Sequence, residues 1–133
     1  AETMQVLQPV CCVTPDDLAL LRQAASEVHC DVKVDDYILD LVFATREPSA
    51  VKGLEDLKGA IQLGASPRAS ICLKLAARAM ALLRGRMYAT PQDVKDVAHD
   101  VLRHRLLLTY EAEAEALTPE RVIDRLLAEV PVP

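Results

Sequence analysis

The sequence predicts a mainly α-helical domain, a small bundle of about five helices, on three observations. Apolar residues make up 51% of the chain and aromatic ones only 3%, so the core must be built from Leu, Val, Ile and Ala, a composition suited to packing helix on helix. Thr-Pro pairs recur at residues 14, 90 and 118 with an acid two or three residues past the threonine. Each is a hydroxyl cap followed by a residue whose φ is already helical. Apolar side chains then return at three- and four-residue steps. The length, 133 residues, suits one domain around one core.

Taken in order, residues 1–13 have no clean period and are expected to be an extended lead-in from a preceding domain, with the helical domain spanning 14–133. Thr14, Pro15 and Asp17 start a first helix over about 15–29, with Leu18, Leu21, Ala25 and Val28 on one face. A second helix begins at Asp35 or Asp36, carries Ile38, Leu41, Val42 and Thr45, and stops before Pro48. Residues 48–62 lack a sustained period, and a connection this long in a small domain is commonly functional. The third helix runs from Pro67 to about Leu83, capped by Ser66 and closed near Gly85, with Cys72, Leu75, Ala76, Ala79, Leu82 and Leu83 read as its apolar stripe. A fourth follows Thr90 through Val94, Val97, Ala98, Val101 and Leu102. The β-prone "RLLLTYEA" at 105–112 could pair with "AIQL" at 60–63 as a short two-stranded ribbon. Thr118 starts the last helix through Val122, Leu126, Leu127 and Val130.

Charge and cysteine usage narrow the function classes. The net charge is −5, which disfavours a nucleic-acid partner held by a basic surface. No acid lies between Asp56 and Asp93, whereas Lys58, Arg68, Lys74, Arg78, Arg84 and Arg86 do. This basic segment within an acidic chain reads either as a solvated face or as the place where an anion arrives. Lys74 and Arg78 are expected to face away from the core. Cys11, Cys12, Cys30 and Cys72 have no metal-ligand spacing, so no metal site is expected. With no apolar run long enough to span a bilayer, the expectation is a cytoplasmic protein without membrane insertion.

One helix start breaks the pattern. The first turns of the other helices contain Asp16 and Asp17, Asp36, Asp93 and Glu120, each complementing the positive end of its helix dipole. In "LGASPRAS" (63–70) the third helix instead offers Arg68. On the stripe read above, Arg68 projects from the end of the core-facing side. A guanidinium beside free helix N–H groups suits a phosphate or carboxylate. An internal ion pair, to Glu55 or Asp56 for example, satisfies it equally well, and the residues alone leave both readings open.

"LGASPRAS" resembles the sensor-two motif of MoxR-type AAA+ ATPases. "LVFATRE" (41–47), "GRMYATPQDV" (85–94), "VLRHRLLLTYEAEAEALT" (101–118) and the terminal "EVPVP" are similar to that family's lid domain in the same order. The resemblance implies an AAA+ lid that closes over ATP held by a preceding α/β ATPase domain of the same chain, which also supplies the Mg. It implies that Arg68 contacts the γ-phosphate, of its own subunit's nucleotide or a neighbour's, with Gly64, Ser66 and Pro67 as the motif's context at the helix start. It further implies hexameric, chaperone-like machines that remodel or mature partner proteins, often carrying von Willebrand factor A domains. No phosphate loop, magnesium-binding strand end or arginine-finger segment is present, so this chain alone is not expected to hydrolyse ATP. The competing class is a free-standing helical adaptor that binds a protein. A helix-turn-helix DNA binder is disfavoured by the acidic surroundings.

Overall fold

The computed structural model describes residues 9–133. Among these residues are six α-helices and one two-stranded ribbon: α1 (Pro15–Glu27), α2 (Val32–Arg46), β1 (Ile61–Leu63), α3 (Pro67–Leu83), α4 (Pro91–Leu102), β2 (Leu107–Leu108), α5 (Tyr110–Ala114) and α6 (Pro119–Glu129). Residues 9–13 carry no helix or strand and are exposed. The rest of the expected lead-in lies outside the described residues.

The Thr-Pro starts form as their chemistry requires. Thr14 and Thr90 close reciprocal capping boxes with Asp17 and Asp93, and Thr118 accepts from the Arg121 N–H. The second helix starts earlier than expected. Asp31 accepts from the Lys33 N–H and launches α2 at Val32, because a carboxylate at the cap satisfies an orphan donor that Asp35 or Asp36, already inside the helix, cannot. The carboxyl end of α3 closes on Gly85, whose φ of +72° places Arg86 N–H on the Ala81 carbonyl at 2.9 Å and Gly85 N–H on the Leu82 carbonyl at 2.9 Å. This paired closure needs a residue at ease in the left-handed region.

Helix α3 is the hub, packing against α1, α2 and α4, while α6 closes the far side against α2 and α4. Tyr37, Ile38 and Leu41 of α2, Leu73 of α3, Leu102 of α4 and Ile123 and Leu126 of α6 meet in the main core with Leu54 and Leu57. Those last two belong to the 48–62 connection, which folds as two short 3-10 turns, Pro48–Ala50 and Glu55–Gly59, before entering β1. The ribbon forms as expected and is antiparallel, with Ile61 opposite Leu108 and Leu63 opposite Leu107 across an irregularity. Residues 110–112, the end of the stretch read as β-prone, turn into α5 instead, because the Thr109 hydroxyl accepts from the Ala112 N–H and starts a helix there.

Two stripes differ from the sequence reading. Helix α1 buries none of its residues, and Leu18 and Leu21 are 50% and 47% exposed. Only Val28, just past its end, enters the small second core with Ala81 and Ala89. In α3 the buried stripe is Ala69, Leu73, Ala77 and Ala81, whereas Leu75 and Leu83 are exposed and Cys72, Ala76, Ala79 and Leu82 are half-buried. Apolar residues run almost all round this helix, so periodicity does not single out the face that α2 and α4 cover.

Candidate functional site

The site is built where the carboxyl end of α2 meets the segment entering α3. Gly64 runs against the α2 backbone so closely that a β-carbon on it would stand 2.4 Å from the Thr45 carbonyl oxygen and 2.9 Å from the Arg46 Cα. Only a residue without a side chain allows that approach. Thr45, buried at 1% exposure, donates its hydroxyl to the Val42 carbonyl at 2.6 Å and accepts the Ala65 N–H at 2.9 Å. Arg46 reaches the Ala65 carbonyl at 3.4 Å. Both backbone polar groups of buried Ala65 are thus held from α2, one residue before the cap of α3. Neither Thr45 nor Arg46 stood out as a site residue in the sequence. A hydroxyl on the apolar stripe of α2 was the available signal.

The amino end of α3 is bare. Caps Thr14, Asp31, Thr90, Thr109 and Thr118 each accept a backbone N–H, whereas the Ser66 side chain accepts none. Pro67 occupies the first helical position, and no acid lies in the first turn. Arg68 is exposed. Among the described residues no hydrogen bond or salt bridge engages it.

Two sequence expectations change here. Arg68 lies across α3 from the Ala69, Leu73, Ala77 and Ala81 stripe, some 160° from its centre at about 100° per residue, and so projects from the solvent side rather than the core-facing side. The internal ion pair is not made either. Asp56 is gripped by Arg125, with both guanidinium contacts at 2.6 Å, and the Arg125 bond holds its carboxyl below the usual range. Glu55 accepts the Gly53 N–H at 2.8 Å.

Three other cations of the acid-free segment are already paired, whereas Lys58 and Arg78 make no salt bridge among the described residues. Lys74, expected to face away from the core, meets Asp35 at 2.7 Å. Arg84 and Arg86 reach the fully buried carboxylate of Asp93 at 3.0 and 2.6 Å. Burial would raise the Asp93 pKa, but the Arg86 bond and the Thr90 N–H and hydroxyl prevail and hold it at about 2. Cys30 donates to Asp35 at 3.3 Å, and burial pushes its thiol up to about 11. Beside Gly64 and Ser66 opens a groove of about 340 Å³ walled by Leu63, His104, Arg105, Leu106 and Leu107. Arg105 donates to the Val101 carbonyl at 3.2 Å, completing the end of α4, and to Cys72 Sγ at 3.3 Å. Along the opposite flank of α3, Leu39 and Phe43 of α2 and Ile71 and Leu75 of α3 are each more than half exposed.

What the start of α3 offers chemically is a charged donor, unpartnered among the described residues, at a positive helix end, a combination that favours an incoming anion. Among the described residues no three His, Cys, Asp or Glu side chains converge to hold a metal, and no helix is long and apolar enough to cross a membrane.

Comparison with known proteins gives this geometry a context. Residues 55–126, just over half of the chain, match the AAA lid domain. The chain is 48% identical over 117 residues to the protein named Chaperone MoxR1 of Mycobacterium tuberculosis, covering 88% of this chain and 31% of that protein. It is 42% identical over 113 residues to Protein MoxR of Paracoccus denitrificans, covering 81% and 33%. A crystal structure of a candidate ATPase from Cytophaga hutchinsonii superposes with a TM-score of 0.85 at 41% identity, covering 89% of this chain and 36% of that one. The chain therefore spans about a third of the length of the relatives it matches.

Proposed function

The chain belongs to the AAA lid domain family, as the lid of a MoxR-type AAA+ ATPase, and from that premise we propose that Arg68 is its sensor-two arginine, completing an ATP site whose other residues lie outside this chain. The observation that carries the reading is that, among the described residues, Arg68 has no partner at a helix start that no side chain caps. A cation there costs about 0.3 to 1 kcal/mol in the isolated lid. Phosphate oxygens reverse the sign, because the guanidinium and the free N–H groups then form charge-assisted hydrogen bonds to them. ATP, with Mg held by a preceding α/β ATPase domain, supplies the transferable phosphoryl group. Arg68 binds and orients its terminal oxygens and stabilises the charge that shifts during transfer. Gly64 and Pro67 shape the approach, and Ser66 leaves the helix end open.

The same reading extends to assembly. The exposed Leu39, Phe43, Ile71 and Leu75 beside the helix start give the ATPase domain, or a neighbouring subunit of a hexamer, an apolar surface to close on. Closure driven by nucleotide would turn hydrolysis into movement of the lid, and so into chaperone-like remodelling of client proteins, von Willebrand factor A domain proteins among them, in the cytoplasm.

The test is Arg68→Ala in the full-length protein. ATP turnover should fall by about 10²-fold or more, the scale for losing one charged donor to a developing charge. Unchanged turnover would rule out the sensor role.

A further inference from the structure

We propose that Thr45, assisted by Arg46, is a positioning residue for Arg68, fixing from the end of α2 the direction in which α3 presents its guanidinium. The proposal rests on the sensor reading of Arg68 and adds to it the element that aims the side chain.

Three observations carry it. First, α3 lacks the side-chain cap that orients the first turn of every other α-helix among the described residues. Something other than Ser66 must set the entry angle of the chain. Second, the two backbone groups of Ala65 are both engaged from one place. The Thr45 hydroxyl accepts its N–H at 2.9 Å and Arg46 donates to its carbonyl at 3.4 Å. Third, Gly64 brings the two backbones into contact, so the tether is short and stiff. Because the hydroxyl also donates to the Val42 carbonyl at 2.6 Å, its rotor is locked with a lone pair toward Ala65. Leaving the α3 start uncapped keeps its N–H groups available to an anion, and the α2 tether provides the rigidity that a cap would otherwise give. Productive contact with a phosphate tolerates little error, since displacement by 1 Å can cost about 10²-fold in rate.

Thr45→Val conserves shape while removing the acceptor for the Ala65 N–H. In the full-length ATPase it should lower kcat by roughly 10-fold, the scale seen when an outer-shell partner is lost, with KM for ATP held within about twofold. Thr45→Ser, which keeps the acceptor, should restore most of the rate. Combined with Arg68→Ala, Thr45→Val should slow turnover no further, because a residue acting through Arg68 has nothing left to aim. Arg46→Ala, an exposed change that leaves the core intact, should slow turnover a few-fold with the same non-additivity, and it decides the matter if Thr45→Val folds poorly. Unchanged kcat in these variants, or an equal slowing in the Arg68→Ala background, overturns the positioning role. If Arg68→Ala itself leaves turnover unchanged, the sensor reading fails first and the positioning role goes with it.

Discussion

The carbonyl oxygen of Thr45 occupies the space that a side chain on Gly64 would need, 2.4 Å from where its β-carbon would stand. The atoms in the way are backbone at the end of a packed helix, so they cannot swing aside. Gly64→Ala should therefore push the α3 entry segment away from α2 and destabilise the fold by about 1–3 kcal/mol, the usual cost of overpacking. Urea unfolding of this chain measures it. An unchanged midpoint would mean that the two backbones part easily, and the Ala65 tether would lose its stiffness with them.

Asp93 offers a second handle, on stability rather than on the site. Its carboxylate is fully buried, shared by Arg84 and Arg86, and it also closes the Thr90 capping box. Asp93→Asn should cost about 2–3 kcal/mol, since the amide keeps part of the cap but leaves the Arg86 guanidinium without its counter-charge, while Arg84 keeps Asp96 at 2.7 Å. The depressed pKa also fixes a pH dependence. A carboxyl at about 2 in the folded chain and near 3.8 unfolded stabilises the fold above the unfolded value, and the contribution is lost as pH falls from 3.8 through 2. Its full size is about 2 kcal/mol. Acid titration of unfolding stability should show this loss in the wild type and a flatter profile in Asp93→Asn.

Much of this architecture was legible because its causes are local. Thr14, Thr90 and Thr118 announce helices through chemistry confined to four residues, and the α2 stripe of Ile38, Leu41, Val42 and Thr45 is buried throughout. The pairing of 60–63 with 105–112 also emerged, from β-propensity on both sides. What stayed hidden depends on contacts distant in sequence. Thr45 meets Ala65 across 20 positions, and Arg125 takes Asp56 across 69, which removes an acid that the sequence offers as a partner for Arg68. The exposed face of α1 was misread for a related reason: periodicity reports an amphipathic helix, not whether anything covers its apolar side.

The two readings of α3 make opposite statements about neighbouring leucines. Periodicity chose Leu75, which is 55% exposed, and passed over Leu73, which is fully buried. Leu73→Ala should cost about 2–5 kcal/mol by opening a cavity at the centre of the bundle. Leu75→Ala should change stability by less than about 0.5 kcal/mol, since it trades an exposed side chain for the best helix former. Comparable losses from both would return α3 to the stripe read from the sequence.

Arg68→Glu separates the needs of the fold from those of the site. In this chain the change removes a cation from a positive helix end and supplies the acid that α3 lacks, while breaking no bond, because Arg68 makes none among the described residues. It should raise stability by about 0.3–1 kcal/mol, most visibly at low salt, where the helix-end charge is least screened. In the full-length ATPase the same carboxylate would meet phosphate oxygens with like charge, and turnover should fall at least as far as in Arg68→Ala. A stability gain paired with lost activity is the expected trade where a residue is kept for chemistry against local electrostatics. Were the variant less stable than wild type, Arg68 would have a structural partner after all, and the case for an anion at this helix start would fall with it.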